Sequence, residues 1–340
     1  DWDDEQNYLA NPDYRGLGLA HLRWMFTTFH SAHYQPLSWL TLGFDHALWG
    51  MNPWGYHLTN VVLHALNAVI FFFLARRLLR LALPSPADQD GGFVSAAVVS
   101  ALLFAVHPLR VESVAWLSER RDVLSGVFYL LTLLCYLKRR IPWSVGLFAL
   151  SLLSKGMGVT LPLVLVILDV YPLRRLSADP RCWLTASARP VWIEKIPFFL
   201  LALAFGLLGI AAESATGAMQ SFARHGLGPR AAQAFYGLAF YLWKSVLPFD
   251  LIPLYKLPPQ MSLLAAPFAL SALVVTTITI VLIALRRRYP GILAAWCYYA
   301  IALFPVLGLV QFGPQLVADR YAYLPCLSGA VLAGAGLIQF

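Results

Sequence analysis

The sequence predicts an all-α polytopic membrane protein. Of its 340 residues 59% are hydrophobic and 12% charged, and the mean hydropathy is +0.65. Soluble domains carry about 25% charged residues, so too little charge is present here to cover a water-facing surface. Apolar runs long enough to cross a bilayer recur along the chain, with arginine and lysine clusters at their ends. Aromatic residues reach 14%, with 11 Trp and 15 Tyr, types that favour membrane–water boundaries.

The net charge of +8 does not point to nucleic acid. The basic residues follow the topogenic pattern and form no basic face with aromatic platforms. Cys135, Cys182, Cys297 and Cys326 are scattered without metal-ligand spacing, and Cys135 and Cys297 read as small core residues. The chain begins at Asp1 and ends inside an apolar run, which reads as a piece of a longer membrane protein.

The runs are 57–75, ending in Arg76, Arg77 and Arg80; 93–107, ending at His107-Pro108; and 123–137, ending in Lys138, Arg139 and Arg140. Residues 142–154 and 158–172 are two short runs around Lys155-Gly156, closed by Arg174 and Arg175. Residues 196–212 follow Glu194-Lys195, 265–285 end in Arg286 to Arg288, and 292–310 and 322–340 complete the set. The positive-inside rule puts the Arg/Lys clusters in the cytoplasm, and residues 1–56, 108–122, about 213–263 and 311–321 on the other side. Residues 234–248 would upset this count as a span and are expected as a re-entrant or interfacial helix. Segment 1–56 is expected as a folded external loop, and 84–92 and 177–191 as cytoplasmic connections.

Four motifs suggest chemistry. In Asp1-Trp2-Asp3-Asp4-Glu5 adjacent carboxylates repel, so one can act as a base near neutral pH, or the run can bind a divalent cation; a solvated acidic segment is the plain alternative. His107-Pro108 closes a helix at the membrane surface, and Glu112, Arg120 and Asp122 follow in a short external segment expected as an amphipathic helix or a salt-bridged surface. Lys155, beside Gly156 at membrane depth, suits a phosphate partner unless it snorkels. Arg320, in Asp319-Arg320-Tyr321, suits a phosphate clamp or a local pair with Asp319. His57, Asn60, His64 and Asn67 recur on one helix face and are expected to bond neighbouring helices. Carboxylates and cations gathered on one membrane face suit a lipid-phosphate donor in the bilayer and an acceptor arriving from outside.

Several strings resemble the transmembrane O-mannosyltransferases with tetratricopeptide repeats, the TMTC type, and their bacterial relatives. They are Trp2-Asp3-Asp4, Tyr34-Gln35-Pro36-Leu37, Asn52 through Asn60, His107-Pro108 through Glu112, Arg120 to Asp122, Ser154-Lys155-Gly156, and Asp319-Arg320-Tyr321 through Leu324-Pro325, in order over nearly the whole chain. The resemblance implies a GT-C fold: one multi-helix transmembrane core over 1–340 with external loops, here without the family's first helix and C-terminal repeats. It implies transfer of a sugar, typically mannose, from a polyprenyl or dolichyl phosphate to Ser or Thr hydroxyls of an exported protein, with inversion. The membrane would be the bacterial inner membrane or, in a eukaryote, the endoplasmic reticulum, with the active site on the non-cytoplasmic face. Asp3 or Asp4 would be the general base, with Asp4 favoured on the premise of an extended segment that pairs its face with Trp2. Lys155, Arg120 and Arg320 would hold the lipid phosphate, with Glu112 and His107 beside them. The family has Gly-Arg-Ala-Asp where this chain has Glu119-Arg120-Arg121-Asp122, which leaves the functional arginine open. The competing reading is a non-catalytic transporter or an anchor for a repeat domain. A transporter should carry symmetric broken helices, and the pair around Lys155 has no clear counterpart.

Overall fold

A computed structural model describes residues 2–83, 90–216, 226–258, 261–309 and 313–339. The described residues are helical nearly throughout. Residues 2–52 hold α1 (Trp2–Asp4), a π-helical turn (Glu5–Leu9), α2 (Leu19–Thr27) and α3 (Pro36–Trp49). These pack on a small core of Tyr8, Tyr14, Met25, Trp39, Leu42 and Tyr56. The acidic run is therefore helical from Trp2, not extended. In a helix neighbouring side chains are about 100° apart, so the alternating-face premise for choosing between Asp3 and Asp4 is overturned.

Asn52 caps the longest helix, α4 (Pro53–Ala82): its side chain accepts from the Trp54 N–H at 3.1 Å, and Pro53 sits where its missing N–H costs nothing. α4 turns Asn60 and Asn67 inward and leaves Val61, Val62, Leu66, Val69 and Phe73 exposed. Polar inside and apolar outside is the pattern of a helix in lipid. Asn67 donates to the Val123 carbonyl at 2.7 Å and to the Tyr323 hydroxyl at 2.9 Å, and His64 meets the same hydroxyl at 2.8 Å. Three of the four polar residues expected to bond neighbours do so; His57 is exposed. Gly126 faces Asn67 and Tyr323, where an added Cβ would lie 3.0–3.1 Å from them, so its lack of a side chain sets the approach of the helices.

α5 (Asp90–Val106) ends at His107-Pro108, where the chain bends by 58°. Residues 90–92 thus belong to a helix, while 84–89 lie outside the described residues. The segment expected as one amphipathic helix is broken: a 3-10 turn (Pro108–Arg110), α6 (Val111–Ala115) and another 3-10 turn (Leu117–Glu119) precede α7 (Arg120–Leu137). α8 (Ile141–Ser154) and α9 (Leu161–Val170) flank Lys155 and a 3-10 stretch (Gly156–Thr160), as the paired short runs implied. α10 (Arg189–Thr216) starts before Glu194 and Lys195, which lie inside it. Glu194 bonds Arg139 and Arg175, and buried Lys195 bonds Asp169, so the helix extends through its charges.

α11 (Leu227–Val246) begins earlier than the helix expected from 234, and buries Arg230, Gln233 and Lys244. α12 (Ala266–Ala284), α13 (Pro290–Leu303) and α14 (Leu327–Gln339) follow. The strands β1 (Tyr255–Lys256) and β2 (Gln315–Val317) pair antiparallel. One core joins α4, α5, α7, α8, α9 and α10 around Phe71, Leu130, Phe148 and Phe198; a second joins α11, α12, α13 and residues 316–326. Cys135 and Cys297 are only half-buried, and Cys326 is the buried thiol.

Among the described residues three helices are long and apolar enough to cross a membrane, within 53–82, 186–212 and 266–284, or four with the bent pair at His107. α9, α13 and α14 are shorter than the runs suggested, because turns at 155–160, 304–306 and 319–322 interrupt them, while α8 matches its run. The chain is an all-α polytopic membrane protein.

Candidate active site

α7 joins two charged clusters. At its last turn Tyr136 donates to Asp169 at 2.5 Å, and Lys195 and Arg175 bond the same carboxylate. At its first turn stand most of the residues the sequence singled out.

Glu119 is the centre of that second cluster. It is fully buried, accepts from Arg121 Nη2 at 2.7 Å and Lys155 Nζ at 2.9 Å, and forms an ion pair with Arg320 Nε at 3.2 Å. Burial raises its proton affinity, but the three cations outweigh burial and hold the carboxyl well below its usual range. Lys155 also donates to Asp122 Oδ1 at 2.7 Å, and Asp122 Oδ2 accepts from Ser113 at 3.0 Å. Glu112 accepts from the Arg320 backbone N–H at 2.8 Å and from its Nη1. Glu112, Glu119 and Asp122 therefore match Arg121, Lys155 and Arg320 charge for charge. An ammonium has three protons and Lys155 spends two on these carboxylates, leaving one for a ligand. Arg320 Nη2 makes no hydrogen bond to a described residue, and the guanidinium lies over the Trp116 and Tyr321 rings at 5.2 and 5.1 Å.

The segments forming the cluster are tied together. Asp4 Oδ1 accepts from both the N–H and the hydroxyl of Ser118, at 3.0 and 2.7 Å, which brings the N-terminal segment beside Glu119. His33 faces the same charges, and burial followed by the charge of Arg121 pushes its imidazole well below the ordinary range. His107 Nδ1 accepts from the Leu109 N–H at 3.2 Å, and Nε2 meets the Ser245 carbonyl at 3.1 Å.

A cavity of about 450 Å³ opens beside the Glu112–Arg320 pair, with Glu112 and Asp319 among its lining residues. Tyr255 donates to Asp319 Oδ1 at 3.1 Å, and burial pushes the Asp319 carboxyl up to about 6. A cavity of similar size, about 480 Å³, lies among apolar side chains near Tyr171 and Tyr289, away from the cluster.

Known proteins similar in sequence are protein O-mannosyl-transferases. Mouse protein O-mannosyl-transferase TMTC2 is 37% identical over 156 residues, 42% of this chain and 17% of the relative. The Xenopus laevis tmtc2 protein is 33% identical over 185 residues, 51% and 20%, and Drosophila melanogaster Tmtc1 is 33% identical over 197 residues, 53% and 22%. The chain is similar to the TMTC-type protein O-mannosyl-transferases. It spans about a fifth of the length of these curated relatives. No protein-family model matches it, and no solved structure does.

Of the residues chosen from the TMTC-type strings, Lys155, Arg320, Glu112 and Asp4 come together around 117–119. Asp3 is exposed. Arg120 points elsewhere: it is fully buried and bonds Asp45 at 2.6 Å, the Tyr56 carbonyl at 2.8 Å and Asn60. His107 bonds backbone only. The local Asp319–Arg320 pair does not form, since each side chain bonds another partner. Arg121, which the sequence left open beside Arg120, bonds Glu119. Glu119 and His33 were missed, because their roles depend on contacts across the chain that no local spacing encodes. Arg110 was missed too: it is buried between the Phe104 and Tyr323 rings, at 5.4 and 5.8 Å, and its Nε and Nη1 make no hydrogen bond to a described residue. Among the described residues no group of three His, Cys, Asp or Glu could hold a metal ion.

Proposed function

We propose that this chain is the GT-C-type membrane core of a glycosyltransferase. It would move a sugar, mannose by the relatives' names, from a polyprenyl or dolichyl phosphate to Ser or Thr hydroxyls of an exported protein. The observation that carries this reading is the meeting of Asp4, Glu119, Lys155 and Arg320 at one end of an apolar bundle. A lipid chain lying along the bundle brings its phosphate to this level. There the spare Lys155 proton and Arg320 Nη2 can receive phosphate oxygens, with Arg121 behind them.

In the proposed step the acceptor oxygen attacks the anomeric carbon and the bond to the phosphate oxygen breaks. Its electrons leave with the lipid phosphate, and the hydroxyl proton passes to the Asp4 carboxylate, with Asp3 the lesser alternative. Phosphate is already a good leaving group, so positioning and charge stabilisation carry the rate. Residues 1–56 and 311–321 then share the non-cytoplasmic side of the bacterial inner membrane or the endoplasmic reticulum.

The test is a transfer assay on the full-length protein with several polyprenyl-phosphate sugars, read by mass spectrometry. Sugar transfer to a Thr peptide supports the reading; no transfer from any donor in a folded preparation overturns it.

A further inference from the structure

The cavity beside Glu112 carries two carboxylates, Glu112 and Asp319, and none of its lining residues is Lys, Arg or His. An anion entering it meets two carboxylates and no lining cation, which is unfavourable. The donor phosphate is thereby excluded. Its walls are aliphatic and aromatic, with Val111 and Trp116 on one side and Leu251 and Ile252 on the other. The occupant must therefore be neutral or cationic, with an apolar body and a group that donates hydrogen bonds. Arg320 pairs with Glu112 at this cavity and with Glu119 behind it, so the cavity adjoins the proposed phosphate site. Asp319 is buried and Tyr255 fixes its Oδ1, while Oδ2 makes no hydrogen bond to a described residue.

We infer that this cavity receives the acceptor: a hydroxyl-bearing peptide residue flanked by aliphatic side chains, whose backbone N–H donates a hydrogen bond to Asp319 Oδ2 and leaves the hydroxyl proton for Asp4. The inference rests on the transferase reading and adds the acceptor's place and chemistry. Asp319 binds substrate here and Asp4 takes the proton, so the two carboxylates differ in what they change. Aliphatic neighbours of the hydroxyl pack on Val111 and Ile252, and acidic neighbours are repelled by Glu112 and Asp319.

The test uses the full-length protein and two Thr peptides, one with Val and one with Glu on each side of the Thr. Asp319→Asn should raise KM for the Val peptide roughly tenfold, the loss of a hydrogen bond to a charged group, with kcat within about twofold. Val111→Trp fills the cavity from an exposed position and should raise the same KM with donor affinity unchanged. The Glu peptide should be the poorer acceptor in the wild type. A binding readout stands apart from turnover: in a Cys182→Ser background, thiol labelling of Val111→Cys should be slowed by the Val peptide and not by undecaprenyl phosphate. Protection without transfer in the wild type would sink the transferase reading and leave the peptide site standing. Equal KM in both variants, or protection by the lipid phosphate and not the peptide, overturns the inference.

Discussion

Lys155 Nζ donates to Asp122 Oδ1 at 2.7 Å, linking the break between α8 and α9 to the first turn of α7. With Glu119 at 2.9 Å the ammonium bridges two buried carboxylates, so it organises the cluster before any ligand arrives. Lys155→Ala removes the cation that pairs with Asp122, while Glu119 keeps Arg121 and Arg320. Breaking a buried pair in this way costs roughly 3–5 kcal/mol. The variant should lower the melting temperature and the donor affinity together, leaving acceptor affinity less affected. Lys155→Arg, which keeps the charge, should recover most of the stability. Unchanged donor affinity in both Lys155→Ala and Arg320→Ala would remove these residues from the phosphate site.

Arg120 and Arg121 are adjacent and should behave differently. Arg120 fixes α4 to α7 through Asp45, Asn60 and the Tyr56 carbonyl. Lysine cannot reproduce that fork of donors. Arg120→Lys should therefore unfold at lower temperature, by roughly 2–4 kcal/mol if one or two of these bonds are left unmade. Arg121→Lys keeps a charge beside Glu119 and should remain folded while weakening donor binding. Thermal melts and donor titrations on the two variants decide the assignment. Equal melting temperatures would show that burial of Arg120 does not define its role.

Much of this architecture was legible in the sequence for a physical reason. Apolar length and arginine at run ends are properties of a segment, so the helices from Pro53, Ile141 and Ala266 lie where the runs placed them. The pair of short helices around Lys155 was equally local. What was hidden depends on partners far away in sequence. The start of α10 was misplaced because Glu194 and Lys195 read as a boundary until Arg139, Arg175 and Asp169 are seen around them. Glu119 read as part of a surface helix, although it bonds Lys155 and Arg320 from two other segments. Asp319 read as half of a local pair, although its partner is Tyr255 on β1. The string Asn52 through Asn60 drew attention through resemblance, and its last residue proves to bond Arg120.

Two of the perturbed carboxyls at this site, Asp319 and Glu119, give opposite pH slopes. Asp319 is raised from 3.8 to about 6 in the fold, chiefly by burial, with Glu112 raising it and Tyr255, Lys244 and Arg320 lowering it. The folded state thus holds the Asp319 proton more tightly than the unfolded state, and this group's contribution to stability falls as pH rises from about 4 to 6. Asp319→Asn removes that slope and should be the more stable protein at pH 7, by about 3 kcal/mol. Glu119 is lowered, so its contribution is present above the ordinary glutamate range and fades as pH falls through its depressed folded value. Glu119→Gln should lose stability at pH 7. Chemical denaturation of both variants at pH 4.5 and pH 7 tests the signs. A neutral or negative effect of Asp319→Asn at pH 7 would contradict the raised proton affinity.

Asp4 is the proposed base, and its contacts make the test selective. Its Oδ1 accepts both hydrogen bonds from Ser118, which leaves Oδ2 for a proton from the acceptor. Asp4→Asn can keep an amide oxygen at the Oδ1 position, so the Ser118 contacts and the placing of the N-terminal segment survive. Only the basicity at the other position is lost. General-base catalysis is worth roughly 10²–10⁴-fold, and turnover should fall by that order while donor and acceptor affinities stay near the wild type. Asp3 is exposed on the same helical turn and bonds nothing in the cluster, so Asp3→Asn should do much less. Asp4→Ala separates the two roles of the side chain. It removes the Ser118 contacts as well, and should lower both turnover and melting temperature. A chelator should leave turnover unchanged if Asp4 acts as a base, whereas metal-dependent turnover would make the acidic run a cation site. If Asp3→Asn and Asp4→Asn both turn over at the wild-type rate, the carboxylate at Ser118 is a structural tie and the proton has another acceptor.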